Sequence, residues 1–238
     1  MRAGVEFDEN YLATSGAIIA YRKAQNWNPL EPGERPSDLR SFYASMTASD
    51  GPHNGRFHYV SPNTDLLGWV IERASGQRYA DLLSDRLWRP MGAERSAYIT
   101  VDRLGAPRCA GGVCTTVRDL ARVGQLLLQD GSRDGRRIIP AEWIDDLISG
   151  GDPAAWNEGD FVALFRRAPM RYRSKWYVQD GPAPLLFGFG VHGQNLFVDR
   201  TNQVVIAKVS SQAAPIDEER NDLTLRAVRA IVGILAKT

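Results

Sequence analysis

A tyrosine and a serine stand on a short segment ahead of a helical pattern. Tyr59 and Ser61 flank Val60, and Pro62 follows directly. Because proline disfavours the helical conformation for the residue before it, Ser61 is expected on extended chain, with both side chains placed before the helix begins. A phenol fixed there could transfer protons if a nearby cation lowered its pKa towards the working pH. A tyrosine packed beneath a turn is the plainer alternative.

A glycine-rich segment with one histidine is the second candidate. Gly188, Gly190 and Gly193 alternate with larger residues around His192 in a predicted strand. Glycines in a strand let another backbone or a ligand come close. If the N–H groups of such an edge face a cleft, they can supply one half of an oxyanion hole. His192 either binds a carboxylate or is satisfied against the sheet, and the sequence leaves both open.

Helical patterns dominate residues 1–160 and position the first candidate. Leu66, Leu67, Val70 and Ile71 recur at helical spacing and Gly76 suits the position after a helix, which predicts a helix over 64–75. Other helices are predicted over 15–24, over 37–46 with Ser37 as N-cap, over 79–88, from a cap at Thr115 or Thr116 to Gly131, over 140–148 and over 217–236.

Residues 161–238 read as an antiparallel sheet closed by the last helix, within the same domain as residues 1–160. Three strands are predicted over 172–178, 186–199 and 203–210, with a hairpin turn over 199–202. A three-stranded sheet with one helix leaves a face and an edge uncovered. We therefore expect further strands to belong to this fold, ahead of the first residue of the chain.

Composition excludes several functional classes. The chain has 238 residues, of which 43% are hydrophobic and 24% charged, which is typical of a globular protein. Its 29 basic and 28 acidic residues give a formal net charge of +1, which argues against nucleic-acid binding. There is neither an apolar run long enough for a membrane span nor a visible signal peptide. A cytoplasmic location without membrane partners is the expectation.

Cysteine and histidine usage argues against a metal centre. Cys109 and Cys114 are the only cysteines, and the three histidines are scattered. A structural zinc site needs four clustered ligands. We expect two free thiols in a reducing compartment, and neither a metal nor another cofactor.

The two candidate segments taken together resemble a known superfamily. Tyr-x-Ser-x-Asn-Thr-Asp-x-Leu, followed about 130 residues later by Gly-x-His-Gly-Gln-Asn, is similar to the penicillin-recognising serine hydrolases, which include class C β-lactamases and DD-peptidases. Within this superfamily, the sequence resembles the 6-aminohexanoate-dimer (nylon-oligomer) hydrolases. The segments that carry the resemblance are GVEFDENY, NTDLLGWVIERASGQRY, ITVD, AGGVCTTVRDLARVG and VHGQNLFVD. The implied fold is α+β and serine β-lactamase-like, with a helical region, an antiparallel sheet and a C-terminal helix.

The resemblance also implies catalytic roles. In the family a serine attacks an amide or ester carbonyl, assisted by a lysine in a Ser-x-x-Lys motif. Tyr59 matches the tyrosine that passes the proton to the leaving amine, and Val191 matches the strand residue whose N–H helps hold the oxyanion. Since His192-Gly193-Gln194 replaces Lys-Thr-Gly, a β-lactamase activity is the weaker interpretation.

Substrate contacts are implied in the same way. Tyr11 matches a tyrosine on a mobile loop over the substrate, Tyr177 with Trp176 falls where a substrate-lining tryptophan lies, and His192 is a further candidate. Arg22 replaces an acidic residue that holds the substrate's amino end, and Ala110 replaces an assisting asparagine. Because a cation repels an ammonium group, a neutral or anionic leaving portion is expected.

The family's nucleophile motif is absent from these residues. No serine lies three positions before Lys23, Lys175, Lys208 or Lys237. We expect a truncated hydrolase that lacks its N-terminal strands and nucleophile helix and is inactive as this chain. The alternative is a non-catalytic binding or relic protein on the same scaffold. A small amide or ester is the expected partner, with a homodimer as a further possibility.

Overall fold

The computed structural model of the chain describes residues 1–166 and 168–236 and divides into two units. The first unit consists of residues 1–85 and 96–115, and the second of residues 86–95 and those from 116 onward. Each unit has its own buried apolar cluster. Within the described residues, no helix combines the length and apolarity that crossing a membrane requires.

Four helices and a small hairpin form the first unit. They are α1 (Ala17–Ala24), α2 (Leu39–Ser45), α3 (Pro62–Ser75) and α4 (Tyr79–Leu83), with β1 (Tyr98–Ile99) paired to β2 (Val113–Cys114). Pro62 occupies the first turn of α3 and Gly76 ends the helix with a left-handed backbone at φ 67°, as the sequence predicts. The N-cap of α2 is Asp38 rather than Ser37, because its carboxylate accepts the Ser41 N–H at 3.0 Å.

The core of the first unit is largely aromatic. Phe7 meets Tyr21 edge-on at 5.8 Å between ring centroids and Phe42 at 6.4 Å. Ile18 and Leu39 close the cluster, and both are almost fully buried. Tyr21 lies on α1 and Phe42 on α2, whereas Phe7 belongs to the segment that precedes both helices. This packing therefore holds the N-terminal segment onto the helices.

The second unit contains most of the strands. After a π-helical turn at Ser84–Trp88, its elements are α5 (Val117–Leu128), β3 (Ser132–Arg133), β4 (Arg136–Arg137), α6 (Ala141–Ser149), α7 (Pro153–Asn157), β5 (Met170–Arg173), β6 (Trp176–Gln179), β7 (Leu185–Gly190), β8 (Gln194–Asp199), β9 (Val204–Lys208) and α8 (Glu218–Leu235). Strands β5 to β9 form one antiparallel sheet in sequence order. Helix α5 packs on β8 and β9.

The expectation of three strands was wrong, because two of them are each divided by a turn. Ser174 and Lys175, with φ of 48° and 73°, reverse the chain between β5 and β6. A three-residue 3₁₀ turn over Val191–Gly193, with His192 at φ 58°, separates β7 from β8. Consecutive left-handed residues twist a hairpin as its strands require, even where the sequence lacks Asn-Gly.

Aliphatic residues of α5, α6 and the sheet build the second core. They are Leu127, Leu128, Ile144, Leu147, Val178, Leu186, Leu196 and Val198. Gly124 lets α5 approach the sheet, since a Cβ there would lie 2.6 Å from Val205 Cγ1. Any larger residue at this position would force the helix away from β9.

Candidate active site

A carboxylate, two phenols and a hydroxyl meet at the start of α3. Ser61 donates its hydroxyl to the Glu9 carboxylate and its backbone N–H to Glu9 Oε2 at 2.8 Å. The Tyr11 phenol is hydrogen-bonded to the same carboxylate and to Ser61. Tyr59 lies close enough for the Glu9 charge to act on it. We call these four residues the Glu9 cluster.

The backbone of Ser61 differs from the sequence-based expectation. With φ −55° and ψ −43°, Ser61 is already helical, although Pro62 follows it. The cost of this conformation ahead of proline is offset by Glu9, which accepts hydrogen bonds from both the amide and the hydroxyl. Ser61 is therefore held by a residue 52 positions away.

The environment of Tyr59 shifts its pKa in the direction opposite to the one that a nearby cation would cause. Burial, and after it the negative charge of Glu9, raise the pKa of Tyr59 to about 12. Burial also raises the pKa of Glu9, while the two hydrogen bonds from Ser61 lower it. Tyr59 is thus a neutral phenol near neutral pH, so it can donate a proton but is a poor base.

Glu9 is the site residue that the sequence reasoning missed. It lies in an acidic turn-like segment in which the Asn10 N–H donates to Asp8 Oδ1 and the Leu12 N–H to Asn10 Oδ1, both at 3.0 Å. His58 Nε2 also contacts the Phe7 carbonyl at 2.9 Å, which ties this segment to the chain before Tyr59. The sequence did contain one signal for Glu9, because this residue lies only two positions before the candidate site residue Tyr11.

Helix α1 carries two further predicted positions into the same unit. Arg22 Nη2 donates to the Tyr11 carbonyl at 3.0 Å. The Ala110 N–H donates to Asp65 Oδ1 at 2.7 Å, and the buried Asp65 also accepts from Tyr21 on α1. The first unit therefore brings Tyr11, Tyr59 and Arg22 together around the start of α3, with Ala110 joined to α1 through Asp65.

Val191 and His192 lie in the second unit, on the turn between β7 and β8. His192 Nδ1 contacts the Gln212 carbonyl at 2.7 Å, and its backbone N–H donates to the Pro215 carbonyl at 2.9 Å. The histidine is thus satisfied by backbone rather than by a carboxylate. The expected strand position of Val191 was wrong, since the residue begins a 3₁₀ turn. Its role in holding an oxyanion stays a prediction.

Tyr177 and Trp176 are both part of the packing of the second unit. Tyr177 is 2% exposed, and its ring stacks on Phe187 at 5.4 Å and meets Trp156 edge-on at 5.9 Å. Trp176 packs against the aliphatic core. A substrate could reach the Tyr177 ring only if this aromatic cluster opened, so the substrate-lining role stays a prediction.

A groove of 410 Å³ lies elsewhere in the second unit, beside α8. It contains none of the predicted site residues. Two of its carboxylates are already engaged, because Asp180 pairs with Arg171 at 2.6 Å and Asp199 accepts the Asn202 N–H at 2.9 Å. The chemistry of the candidate site therefore has to be sought in the Glu9 cluster rather than in this groove.

Comparison with known proteins gives concordant results. A family model described as beta-lactamase matches residues 14–231. The 6-aminohexanoate-dimer hydrolase of Paenarthrobacter ureafaciens is 34% identical over 215 residues, which cover 90% of this chain and 54% of that protein. The chain thus spans about half the length of the curated relative it matches.

Solved structures show the same fold. A Bacillus anthracis protein provisionally named as a 6-aminohexanoate-dimer hydrolase superimposes with a TM-score of 0.82 at 24% identity, over 100% of this chain and 60% of that one. A beta-lactamase/D-alanine carboxypeptidase of Yersinia pestis gives a TM-score of 0.63 at 18% identity, over 86% and 65%. The chain belongs to the beta-lactamase family and is similar in sequence to a 6-aminohexanoate-dimer hydrolase.

Proposed function

We propose that this chain forms the substrate-facing part of a serine hydrolase that cleaves small amides or carboxylic esters through an acyl-serine. The observation that carries the proposal is the Glu9 cluster, in which Tyr59 and Ser61 sit at the start of α3 on the scaffold of this hydrolase family. The proposed chemistry needs neither a metal nor another cofactor.

In the proposed mechanism Tyr59 acts as the general acid. Because its pKa of about 12 keeps it protonated, the phenol donates a proton to the leaving amine or alkoxide as the acyl bond to nitrogen or oxygen breaks. The proton released by the attacking serine hydroxyl replaces the one that Tyr59 gives up, so the phenol is restored. Glu9 holds Ser61 and Tyr11 in place beside it. Val191, at the start of the turn between β7 and β8, is the residue proposed to donate its N–H to the oxyanion.

The nucleophile is proposed to come from outside these 238 residues. No Ser-x-x-Lys pair occurs among them, and a protonated phenol is a poor base for activating a hydroxyl. We therefore expect the chain by itself to form no acyl-enzyme.

A fusion tests the catalytic role of Tyr59. The part of the Paenarthrobacter ureafaciens relative that this chain does not cover is joined to the chain, and hydrolysis of ethyl butyrate is measured, because its alkoxide leaving group needs a proton in order to depart. We expect activity in the fusion, and a loss in kcat of about 100-fold or more for Tyr59→Phe, the range of general acid catalysis. Tyr98→Phe is the matched control, since Tyr98 is 74% exposed in the same unit. A folded but inert fusion, or a fully active Tyr59→Phe variant, would contradict the proposal.

A non-catalytic binding protein is the second candidate, favoured by the absence of Ser-x-x-Lys. A fluorophosphonate probe separates the two functions. Covalent labelling of the fusion supports the hydrolase, whereas a folded fusion that binds an amide without being labelled supports the binding protein.

The proposal also includes a cytoplasmic location and a homodimer. Free thiols at Cys109 and Cys114 fit a reducing compartment. The dimer is supported by the apolar side chains that α8 exposes, among them Leu223 and Ile234. Light scattering coupled to size exclusion tests it, and a monomeric mass at every concentration would contradict it.

A further inference from the structure

Two guanidinium groups lie over one exposed indole in the first unit. The Arg108 Cζ atom is 4.5 Å from the centroid of the Trp27 ring, and the Arg22 Cζ atom is 5.8 Å from it. Trp27 is 53% exposed, although tryptophan side chains are on average largely buried. Arg22, Trp27 and Arg108 are called the indole–guanidinium site below.

The end of α1 explains how Arg22 and Trp27 are brought together. Asn26 has a left-handed backbone at φ 59°, and its N–H donates to the Lys23 carbonyl at 3.0 Å. The Trp27 N–H then donates to the Arg22 carbonyl at 2.9 Å. This pair of bonds is a Schellman motif, which folds the residue after the left-handed position back onto the last turn of the helix. The indole is therefore fixed against Arg22 by backbone geometry.

Each arginine is anchored at one point and has donors left over. Arg22 Nη2 donates to the Tyr11 carbonyl at 3.0 Å, and Arg108 Nη1 donates to Thr100 Oγ1 at 3.2 Å. Arg108 Nε is buried and has no hydrogen-bond partner among the described residues. A guanidinium carries five N–H donors in a fixed fork, so both groups can take a further acceptor.

Neither charge is neutralised by an ion pair among the residues that the structure describes. Over residues 1–166 and 168–236, no carboxylate oxygen lies within 4 Å of the guanidinium of Arg22 or Arg108, whereas the neighbouring Lys23 pairs with Glu34 at 2.6 Å. Asp65 is the carboxylate on which the Arg108 charge acts, but Asp65 already accepts from Tyr21, Gln25 and the Ala110 N–H.

We propose that the indole–guanidinium site binds the carboxylate of an anionic substrate, with the adjoining alkyl chain lying on the indole. This proposal rests on the proposed function, because Arg22 is bonded to the Tyr11 carbonyl and so places the site beside the Glu9 cluster. It assigns substrate selection to Trp27 and Arg108 as well as to Arg22. Two guanidiniums can each give charge-assisted hydrogen bonds to one carboxylate, whereas an ammonium group is repelled.

The test measures binding without any bond cleavage. Hexanoate, hexanamide and hexylammonium each contain six carbon atoms and differ in charge, and each is titrated into the protein while the indole ¹⁵N–¹H resonances are recorded. The Trp27 signal is identified by its loss in Trp27→Phe. We expect hexanoate to shift this signal saturably, and hexanamide and hexylammonium to bind at least about tenfold more weakly, since a charge-assisted hydrogen bond is worth about tenfold or more.

Arginine variants test the assignment of the residues. We expect Arg22→Gln and Arg108→Gln each to weaken hexanoate binding about tenfold. Arg40→Gln is the matched control, because Arg40 lies over the Trp69 ring at 5.4 Å but has a carboxylate partner in Glu72 at 3.7 Å. The Arg40→Gln variant should bind hexanoate as tightly as the unaltered chain does.

Three results would overturn the proposal: no shift of the Trp27 signal with hexanoate, equal affinity for hexanoate and hexanamide, or equal losses in the variants and the Arg40→Gln control. The comparison of the three ligands uses the unaltered chain, so it holds even if a variant fails to fold. A failure of the proposed function would appear instead in the hydrolysis of ethyl butyrate, a neutral ester that does not need this site.

Discussion

At the scale of single residues, the charge of Glu9 acts together with burial to keep the neighbouring phenols protonated. Ser61 donates twice to this carboxylate, and Tyr11 is hydrogen-bonded to it. A negative charge beside a phenol disfavours the phenolate, which adds to the effect of burial on Tyr59 and Tyr11. Glu9 therefore positions Ser61 and Tyr11 and keeps Tyr59 able to donate a proton.

Glu9→Gln should lower the pKa of Tyr59 from about 12 towards the ordinary value of 10. The pKa should stay above 10 because burial, the larger cause, remains. The ultraviolet absorbance of phenolate measures this, and the same titration on Glu9→Gln with Tyr59→Phe assigns the change. Glu6→Gln, which removes an exposed carboxylate of the same segment, is the control. An unchanged titration curve in Glu9→Gln would rule out the electrostatic role.

At the scale of elements, one buried carboxylate joins α3 to α1 and to the segment before β2. Asp65 on α3 accepts from Tyr21, from Gln25 Nε2 at 3.1 Å and from the Ala110 N–H at 2.7 Å. Its side chain is 1% exposed. Because three donors depend on it, Asp65 fixes the relative positions of the pieces that carry Tyr59, Arg22 and Ala110.

Asp65→Ala should lower the free energy of unfolding by about 3–5 kcal/mol, since buried donors lose their acceptor. Urea unfolding monitored by circular dichroism measures it. The control is Asp81→Ala, whose carboxylate is 55% exposed and pairs with Arg78 at 2.8 Å. An exposed pair of this kind contributes less than about 1 kcal/mol. Equal losses in both variants would show that Asp65 is not a structural junction.

The turn between β5 and β6 is a second element-scale feature with a measurable consequence. Lys175 has φ 73°, a conformation that costs a non-glycine residue about 1–2 kcal/mol. We expect Lys175→Gly to raise the free energy of unfolding by about 1 kcal/mol once the entropy of glycine is subtracted. Lys175→Val tests the opposite case, because a β-branched residue is disfavoured at this positive φ, and the substitution should destabilise the sheet. A destabilised Lys175→Gly variant would mean that the lysine side chain matters more than the backbone.

At the scale of the whole molecule, the first unit contains five partly or fully buried phenols with raised pKa values. They are Tyr11, Tyr21, Tyr43, Tyr59 and Tyr79, and burial is the leading cause for each. In the unfolded chain a tyrosine loses its proton near pH 10, while these phenols keep theirs in the folded state. The folded state therefore binds more protons than the unfolded one above pH 10.

It follows that these phenols should make the stability fall as the pH rises from about 10 through 12, because they ionise first in the unfolded state. Thermal unfolding across this range measures the fall. Tyr43→Phe should reduce it without a loss at neutral pH, because the Tyr43 hydroxyl is buried and has no hydrogen-bond partner among the described residues. A melting temperature independent of pH up to 12 would contradict this prediction.

The sequence by itself determined the parts that depend on neighbouring residues. Pro62 and Gly76 mark the ends of α3, and Thr116 caps α5 by accepting the Asp119 N–H. These signals act through backbone sterics and hydrogen bonds within one turn, so they can be read without coordinates. The family resemblance was equally readable, because its motifs are contiguous.

Only the tertiary structure decided which distant groups meet. Glu9 reaches Ser61 across 52 positions, and Arg108 reaches the indole of Trp27 across 81 positions. The left-handed turn at His192 that divides the predicted strand was likewise hidden, because the surrounding alternation of residues fits one continuous strand. Long-range contacts depend on how helices and sheet pack, and packing is governed by the whole set of buried side chains rather than by any local pattern.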